Sequence, residues 1–440
     1  MRLARSTAGV FGTNLLNLVL SFGNSILLTR TLGVVGRGEF AIFSASFGIL
    51  SLLLGLGLDL ALRYFVAREK VARDRILTSL VVFVLLAGAL LAAGVHLNHR
   101  MFRNEIFLPY ARQTLAMELT LVGVVMANLF HGNIASVFAG ARSFKTLNVA
   151  TIVFATVSLA TYAVLFAAQQ RGFWAVGVDE VFLAYLTLTL FNAAVLGGLA
   201  YWKLGVRPSW RLLDWDVLRT MLRYATVAFA ANVAQFLNYR VDIWIVQYFE
   251  GSAPLGLYSL AANLAMMLWI LPRSMATVLL PAMADGGASF EEAARMARMG
   301  LVATAIVGLP LALSAPTWIG LLYGGDFAGA GLPFAILLVG CIPFTLCVVQ
   351  AGALAGANRP DVNLVASGAG LAVTVALDIL LVPRWGIAGA AAASAGSYFV
   401  TTAVVVFFFS RIAEIPVWSC VLPRAEDVSE LTHGLKNLLR

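Results

Sequence analysis

In the stretch from Tyr224 to Pro281, polar side chains recur where a lipid-facing segment would carry none. Asn232, Gln235, Asn238 and Asp242 follow at spacings of 3, 3 and 4. At 100° per residue they fall on one narrow stripe of a helix, with Arg240 turned away from Asp242. An ionised side chain at the bilayer centre costs about 2.5 to 3.5 kcal/mol on the mildest scale, so the stripe is expected to line a wet interior. The chemistry on offer is recognition: amides for hydroxyl groups, a guanidinium fork that matches phosphate oxygens and stays charged when desolvated, and a carboxyl able to titrate or bind Na⁺. Asn14, Asn17, Ser21, Asn24 and Ser25 draw a second one-sided polar face near the start of the chain. The two faces are read as opposing walls of one cavity; interhelical hydrogen-bond glue is the alternative for either face alone.

Two readings are open for Arg240, a ligand for an anionic group or a structural ion pair with Asp242 or another carboxylate. Arg273 follows the kinking Pro272 and either faces the cavity or snorkels to the headgroups. Asp242 and Asp378 are candidates for coupling transport to H⁺ or Na⁺, with purely structural roles the alternative. Asp59 and Arg63, four residues apart, are expected to pair and could form a gate. Other patterns are set aside. Asp214-Trp-Asp216 sits in a loop too short for a nucleotide-binding domain, so a helix cap is expected there. His96 and His99 lack further ligands for a metal. The glycines from Gly324 to Gly331 follow no strand and precede no Lys, unlike a phosphate loop. Cys341, Cys347 and Cys420 have neither metal nor disulfide spacing. No cofactor is called for.

These residues must be held by membrane helices. The 440 residues are 60% hydrophobic and 12% charged, with a mean hydropathy of +0.88, which excludes an ordinary soluble domain and predicts an all-α integral membrane protein. Apolar runs predict twelve spans, near 10–30, 39–62, 76–96, 113–138, 147–168, 181–202, 224–249, 257–281, 299–322, 331–355, 363–382 and 387–410. The basic start Met1-Arg-Leu-Ala-Arg5 precedes a run of full spanning length, so it is read as the first helix and not as a cleaved leader. With both termini cytoplasmic, about 21 of the 30 Lys and Arg fall inside, so the net charge of +8 marks topology and not a nucleic-acid partner. The loop from Lys203 to Arg223 carries Trp210, Trp215, Leu218 and Leu222 at helical spacing, as an amphipathic connector would. The expected organisation is a lobe over 1–202, a cytoplasmic connector over 203–223, a lobe over 224–410 and a cytoplasmic tail over 411–440, seen as a short interfacial helix or a frayed end.

A shift of 218 residues places Asn14 on Asn232, Asn17 on Gln235, Asn24 on Asp242, Gly33 on Gly251, Gly38 on Gly256 and Phe40 on Tyr258, and Gly140-Ala141 echoes Gly356-Ala357 at 216. Six spans per half give two pseudo-symmetric lobes repeated in parallel about an axis along the membrane normal, an arrangement that places the substrate path near mid-bilayer.

Three motifs carry a family resemblance: Leu28-Thr-Arg30-Thr-Leu-Gly33 with Gly36-Arg-Gly38-Glu-Phe40; Asp242-Ile-Trp-Ile through Gly256-Leu-Tyr258-Ser-Leu-Ala; and Asp378-Ile-Leu-Leu-Val-Pro383-Arg384-Trp-Gly386-Ile-Ala-Gly389. In order and spacing they resemble the bacterial polysaccharide flippases of the multidrug/oligosaccharidyl-lipid/polysaccharide exporter superfamily, relatives of the multidrug and toxic compound extruders. The likeness runs from the first span to Pro423. It implies a MATE-like flippase in the bacterial cytoplasmic membrane that moves an undecaprenyl-diphosphate-linked oligosaccharide to the outer leaflet for O-antigen, capsule or exopolysaccharide assembly, alongside polymerase and export machinery. Asp378 stands where many relatives carry Asn. An ion-coupled multidrug exporter on the same scaffold is the alternative; the balance of Arg240 and Arg273 against Asp242 and Asp378 favours an anionic cargo over a cationic drug. A membrane glycan polymerase or ligase would need a long external loop with catalytic groups, and the longest, Leu97 to Arg112, is short.

Overall fold

The computed structural model describes residues 2–67, 72–102, 106–109, 112–207, 209–424 and 426–427, with all their side chains except those of 2–15, 60, 102, 224–228 and 231. Among these residues the chain is helical with no strand. The helices are α1 (Arg2–Gly55), α2 (Leu58–Ala67), α3 (Arg73–Phe102), α4 (Leu115–Gly140), α5 (Phe144–Gln170), α6 (Val178–Leu204), α7 (Trp215–Glu250), α8 (Ser252–Met267), α9 (Ile270–Ala284), α10 (Phe290–Leu313), α11 (Ala315–Tyr323), α12 (Gly331–Gly356), α13 (Pro360–Ala413) and α14 (Val417–Val421). Eight are long and apolar enough to cross a membrane, or nine counting the bent pair α8 and α9 as one span. The chain divides into two compact units, Met1–Val233 and Ala234–Arg440, and the division falls inside α7.

Glycines set the reversals. Gly33, inside α1, has φ 65 and ψ −177; Gly251, between α7 and α8, has φ 81 and ψ −173. Both occupy a backbone region open essentially to glycine alone, so the pair matched by the 218-residue shift makes the same turn in each half. The second expected span of each half is broken. Leu56 (φ 48) and Gly57 (φ 72) separate α1 from α2, while α8 and α9 meet at a 44° bend. Further along, Arg142 (φ 56) after α4 and Asn358 (φ 61) after α12 are both left-handed, again 216 apart. Gly251→Ala is expected to destabilise the fold by about 1–3 kcal/mol, since alanine strains this φ/ψ. Gly198→Ala, inside α6 with open space around its Cβ position, is expected to gain a few tenths. Thermal unfolding in detergent compares the two; equal effects would refute the role of the turn.

Caps and polar staples end the helices. Ser289 and Glu292 bond each other's backbone N–H at 3.2 and 2.8 Å, starting α10 with a reciprocal capping box. The segment before α7 is fastened to α3: Arg207 N donates to Asp74 Oδ1 (2.9 Å), Ser209 N to Thr78 Oγ1 (3.0 Å) and Asp214 N to Ser79 Oγ (3.2 Å). Asp214 Oδ1 accepts from the N–H groups of Asp216 and Val217, both at 3.1 Å, so the Asp-x-Asp pattern is a helix cap. The amphipathic segment expected as a helix of its own is instead a short 3₁₀ turn at Trp210–Leu212 followed by the first turns of α7.

The core of the first unit is aromatic: Phe43 stacks on Phe182 at 4.1 Å between centroids, and Phe40 meets the edge of Tyr185 at 5.7 Å. In the second unit, α14 is held against the end of α10 by Arg298. Its Nε and Nη2 donate to the two oxygens of Asp427 at 2.7 and 3.0 Å, and its Nη1 donates to Ser419 O at 2.5 Å. All three cysteines are free and buried.

Candidate functional site

The stripe on α7 divides along its length. Asn232 and Gln235 are exposed, whereas Asn238 and Asp242 are 2% and 4% exposed and turn into the second unit. This corrects the expectation of one continuous wet face. Asn238 and Asp242 are four residues apart and so share a face, and that face packs on α8 and α13. Asn238 Oδ1 accepts from Thr374 Oγ1 and Ser397 Oγ, both at 2.9 Å. Asp242 Oδ2 accepts from Tyr258 O–H at 2.5 Å and Ser394 Oγ at 3.3 Å, and its Oδ1 from Ile243 N at 2.8 Å.

Asp378 joins this cluster from α13, one turn beyond Thr374. It is fully buried, and neither carboxyl oxygen has a hydrogen-bond partner among the described residues. It lies close enough to Asp242 for the two carboxyls to interact electrostatically. Two carboxyls enclosed together call for a compensating cation, a proton or a metal ion. The oxygens of Asp242 and Asp378, with Ser394 and Tyr258 beside them, are hard donors suited to H⁺ or an alkali cation.

Arg240 lies two residues from Asp242, about 200° around the helix. Its Nη1 donates to Asn263 Oδ1 of α8 at 3.1 Å, and no ion pair joins it to a carboxylate among the described residues. The structural ion pair with Asp242 is therefore not formed. Arg273 is exposed and stands 5.5 Å above the ring of Trp269, a cation–π contact. Trp269 is fully buried and packs on Tyr239 (5.3 Å), Phe344 (4.9 Å) and Tyr398 (5.3 Å). Gln235 donates to the Tyr239 hydroxyl at 3.2 Å. Gln235 and Arg273 thus share one aromatic platform.

In the first unit, Asn24 Nδ2 donates to Ala155 O of α5 at 3.3 Å, while the side-chain oxygens of Asn17 and Asn24 are buried without a partner among the described residues. The side chain of Asn14 lies outside the described residues. The expected Asp59–Arg63 pair is not made: Arg63 Nε reaches Ser136 Oγ of α4 at 3.4 Å. Asp59 sits in the first turn of α2, where the helix dipole already favours a carboxylate. His96 and His99 share a hydrogen-bonding partner, since Nδ1 of each contacts a different oxygen of buried Glu118, His96 at 3.0 Å. No group of three or more metal-binding residues occurs among the described residues.

Tyr258, Ser394, Ser397 and Thr374 were the functional neighbours missing from the sequence reading. One signal was present: Phe40 falls on Tyr258 and Asn24 on Asp242 in the repeat, so the carboxyl and its phenol partner occur in one copy alone.

The family described as "Polysaccharide biosynthesis protein" matches residues 27–330. No curated protein sequence matches the chain. Among solved structures, the lipid II flippase MurJ in an inward closed conformation has a TM-score of 0.74 at 13% identity, covering 98% of this chain and 92% of MurJ. An inward-facing multidrug resistance MATE transporter scores 0.70 at 15% identity, covering 90% and 94%. The MATE transporter VcmN of Vibrio cholerae scores 0.62 at 14% identity, covering 94% and 97%. The chain is a multi-pass membrane protein with the fold of the MurJ and MATE transporters, and it belongs to the polysaccharide biosynthesis protein family.

Proposed function

We propose that this protein is a flippase carrying an undecaprenyl-diphosphate-linked oligosaccharide from the inner to the outer leaflet of the bacterial cytoplasmic membrane by alternating access. The observation that carries this reading is Arg240, a guanidinium in a membrane helix whose described partner is the neutral amide of Asn263. Its charge is left for an anion, and a diphosphate offers oxygens that match its fork. Asn232 and Gln235 of α7 are assigned to a polar lining, as are Asn14, Asn17 and Asn24 in the first lobe, and Arg273 to a second phosphate contact; Asn238, enclosed by Thr374 and Ser397, is left out of it. Family membership supports the class of pathway, and one structural neighbour is itself a lipid II flippase.

Taking each side of Gly33 and of Gly386 (φ 56, ψ −138) as one crossing, joining α2 to the end of α1 and α9 to α8, and leaving out the short α11 and α14, we assign six crossings before the connector and six after it. Both termini are then cytoplasmic, in lobes over 1–202 and 224–410. Asp242 and Asp378 take the coupling cation. Polymerase and export machinery receive the product.

The test is reconstitution of the purified protein into liposomes with a lipid-linked oligosaccharide, reading the fraction of glycan reached by a lectin added outside. No increase over empty liposomes overturns the reading. The MATE neighbours favour a second reading, export of cationic drugs; ethidium efflux from cells with no glycan movement would establish it instead. In the same assay Asp242→Asn is expected to remove most of the dependence on pH or Na⁺, because it deletes an ionisable partner of Asp378 while keeping an acceptor for Tyr258 and Ser394. An unchanged dependence makes Asp242 structural.

A further inference from the structure

The start of α7 carries a second cationic site that the proposed function does not use. A cavity of about 390 Å³ is lined by Trp215, Leu218, Arg219, Leu222 and Arg223. Arg219 and Arg223 are four residues apart, share one helical face, and are both exposed. Arg219 has neither an ion pair nor a hydrogen bond among the described residues. Asp214 is engaged elsewhere, capping α7 and lying 3.6 Å from Arg75, and the exposed Asp216, three residues before Arg219, makes no ion pair with it among the described residues. Leu218 is buried and supplies an apolar floor beneath the two guanidinium groups.

The surroundings show what kind of surface this is. Tyr201, Trp202, Trp210 and Trp215 are all exposed, with Trp202 at 85% and Trp210 at 72%. Aromatic rings of this kind with Lys203, Arg207 and Arg211 beside them make the composition of a headgroup layer, apolar at one edge and cationic at the other. The platform is also fixed in place, because the bonds to Asp74, Thr78 and Ser79 tie the segment to α3 before α7 begins. The cavity is therefore a built feature at the wet end of the helix, well before Arg240 on the same helix.

We propose that this cavity binds the phosphate of an anionic phospholipid of the surrounding bilayer, held by Arg219 and Arg223, with the first acyl carbons on Leu218 and Leu222 and Trp215 at the glycerol level. Phosphate chemistry alone would also suit the polyprenyl diphosphate of a cargo. The resident lipid is favoured by the ring of exposed tryptophans, which marks a position at the bilayer surface, and by the absence of the polar amides a glycan would need among the cavity's lining residues.

The test uses the full chain in phosphatidylcholine nanodiscs, with phosphatidylglycerol titrated in and bound lipid counted by native mass spectrometry. Wild type should prefer phosphatidylglycerol over phosphatidylcholine, and the preference should shrink in about 0.5 M salt. Arg219→Ala and Arg223→Ala should each weaken phosphatidylglycerol retention about fivefold, and the double variant on the order of 25-fold, with phosphatidylcholine retention unchanged. Lysine at both positions should stay close to wild type, which separates loss of charge from loss of folding. The proposal is overturned by any of three results: no headgroup preference in wild type, less than a twofold change in the double variant, or equal loss of both lipids. It is also overturned if undecaprenyl phosphate displaces phosphatidylglycerol from wild type at equimolar amounts, which would assign the cavity to cargo. None of these outcomes depends on transport being observed.

Discussion

Arg240→Ala is expected to lower transport of the lipid-linked glycan by about 100-fold or more while leaving the protein inserted and folded. A guanidinium that donates two charge-assisted hydrogen bonds to a phosphate contributes about 1.5–3 kcal/mol through each, and 3 kcal/mol in total already exceeds a hundredfold. The folded state loses far less. Its one described contact is the 3.1 Å bond to Asn263, a neutral acceptor, and a bond of that kind is worth about 1 kcal/mol or somewhat more once the guanidinium is gone. Arg240→Lys keeps the charge and discards the planar fork, so an intermediate loss is expected. Transport by proteoliposome assay and thermal unfolding of the same preparations separate the two effects. Full transport by the alanine variant would remove Arg240 from the binding machinery.

The largest effect on stability is expected at the other end of the second unit, where Arg298→Ala should cost about 3–5 kcal/mol. Arg298 and Asp427 are 5% and 1% exposed, and the pair is bidentate, so removing the cation strands a buried carboxylate. Replacing both residues together with apolar side chains is expected to recover most of the loss, because the stranded charge is gone. Burial pushes the Asp427 carboxyl up, but hydrogen bonds from Arg298 and from the backbone N–H of Arg424 outweigh it and hold the group below the ordinary value for aspartate. A depressed folded value means that the unfolded chain takes up the proton first. The clamp's contribution is therefore complete above about pH 4, the unfolded value, and is lost as pH falls through the lower folded value. Amide hydrogen exchange from Val417 to Asp427, corrected for the intrinsic rate at each pH, reads the release. Wild type should open only in acid, Arg298→Ala should be open at neutral pH, and identical protection in the two would refute the clamp.

Much of the architecture follows from patterns a single chain displays. Long apolar runs foretell the membrane helices, and the 218-residue shift foretells that Gly33 and Gly251 share a backbone conformation that other residues avoid. The helical spacing on α7 also places Asn238 with Asp242 and sends Arg240 elsewhere, because 3.6 residues per turn is a property of the backbone and not of the neighbours. Whether a polar stripe faces water or another helix is not a property of the backbone. Asn232 and Asp242 look alike on a helical wheel, yet one is exposed and the other is enclosed by Tyr258 and Ser394. Ser394 lies in an alanine-rich run, Ala390 to Ala395, and carries no mark of its role until α13 is packed against α7. Asp59 and Arg63 failed in the same way: the spacing permitted a pair, but Ser136 on another helix offered Arg63 a competing partner. The clamp on Asp427 had no local signature, since its two halves are separated by the whole of α11 to α14.

One further consequence comes from where the two units divide. The boundary at Val233 and Ala234 lies within a helix of 36 residues with no break. A cut there would leave four amide donors and four carbonyl acceptors bare on the new ends. Complementing fragments made from separate genes should therefore be severed near Gly205, where α6 already ends in a left-handed cap, so that the longer piece keeps all of α7.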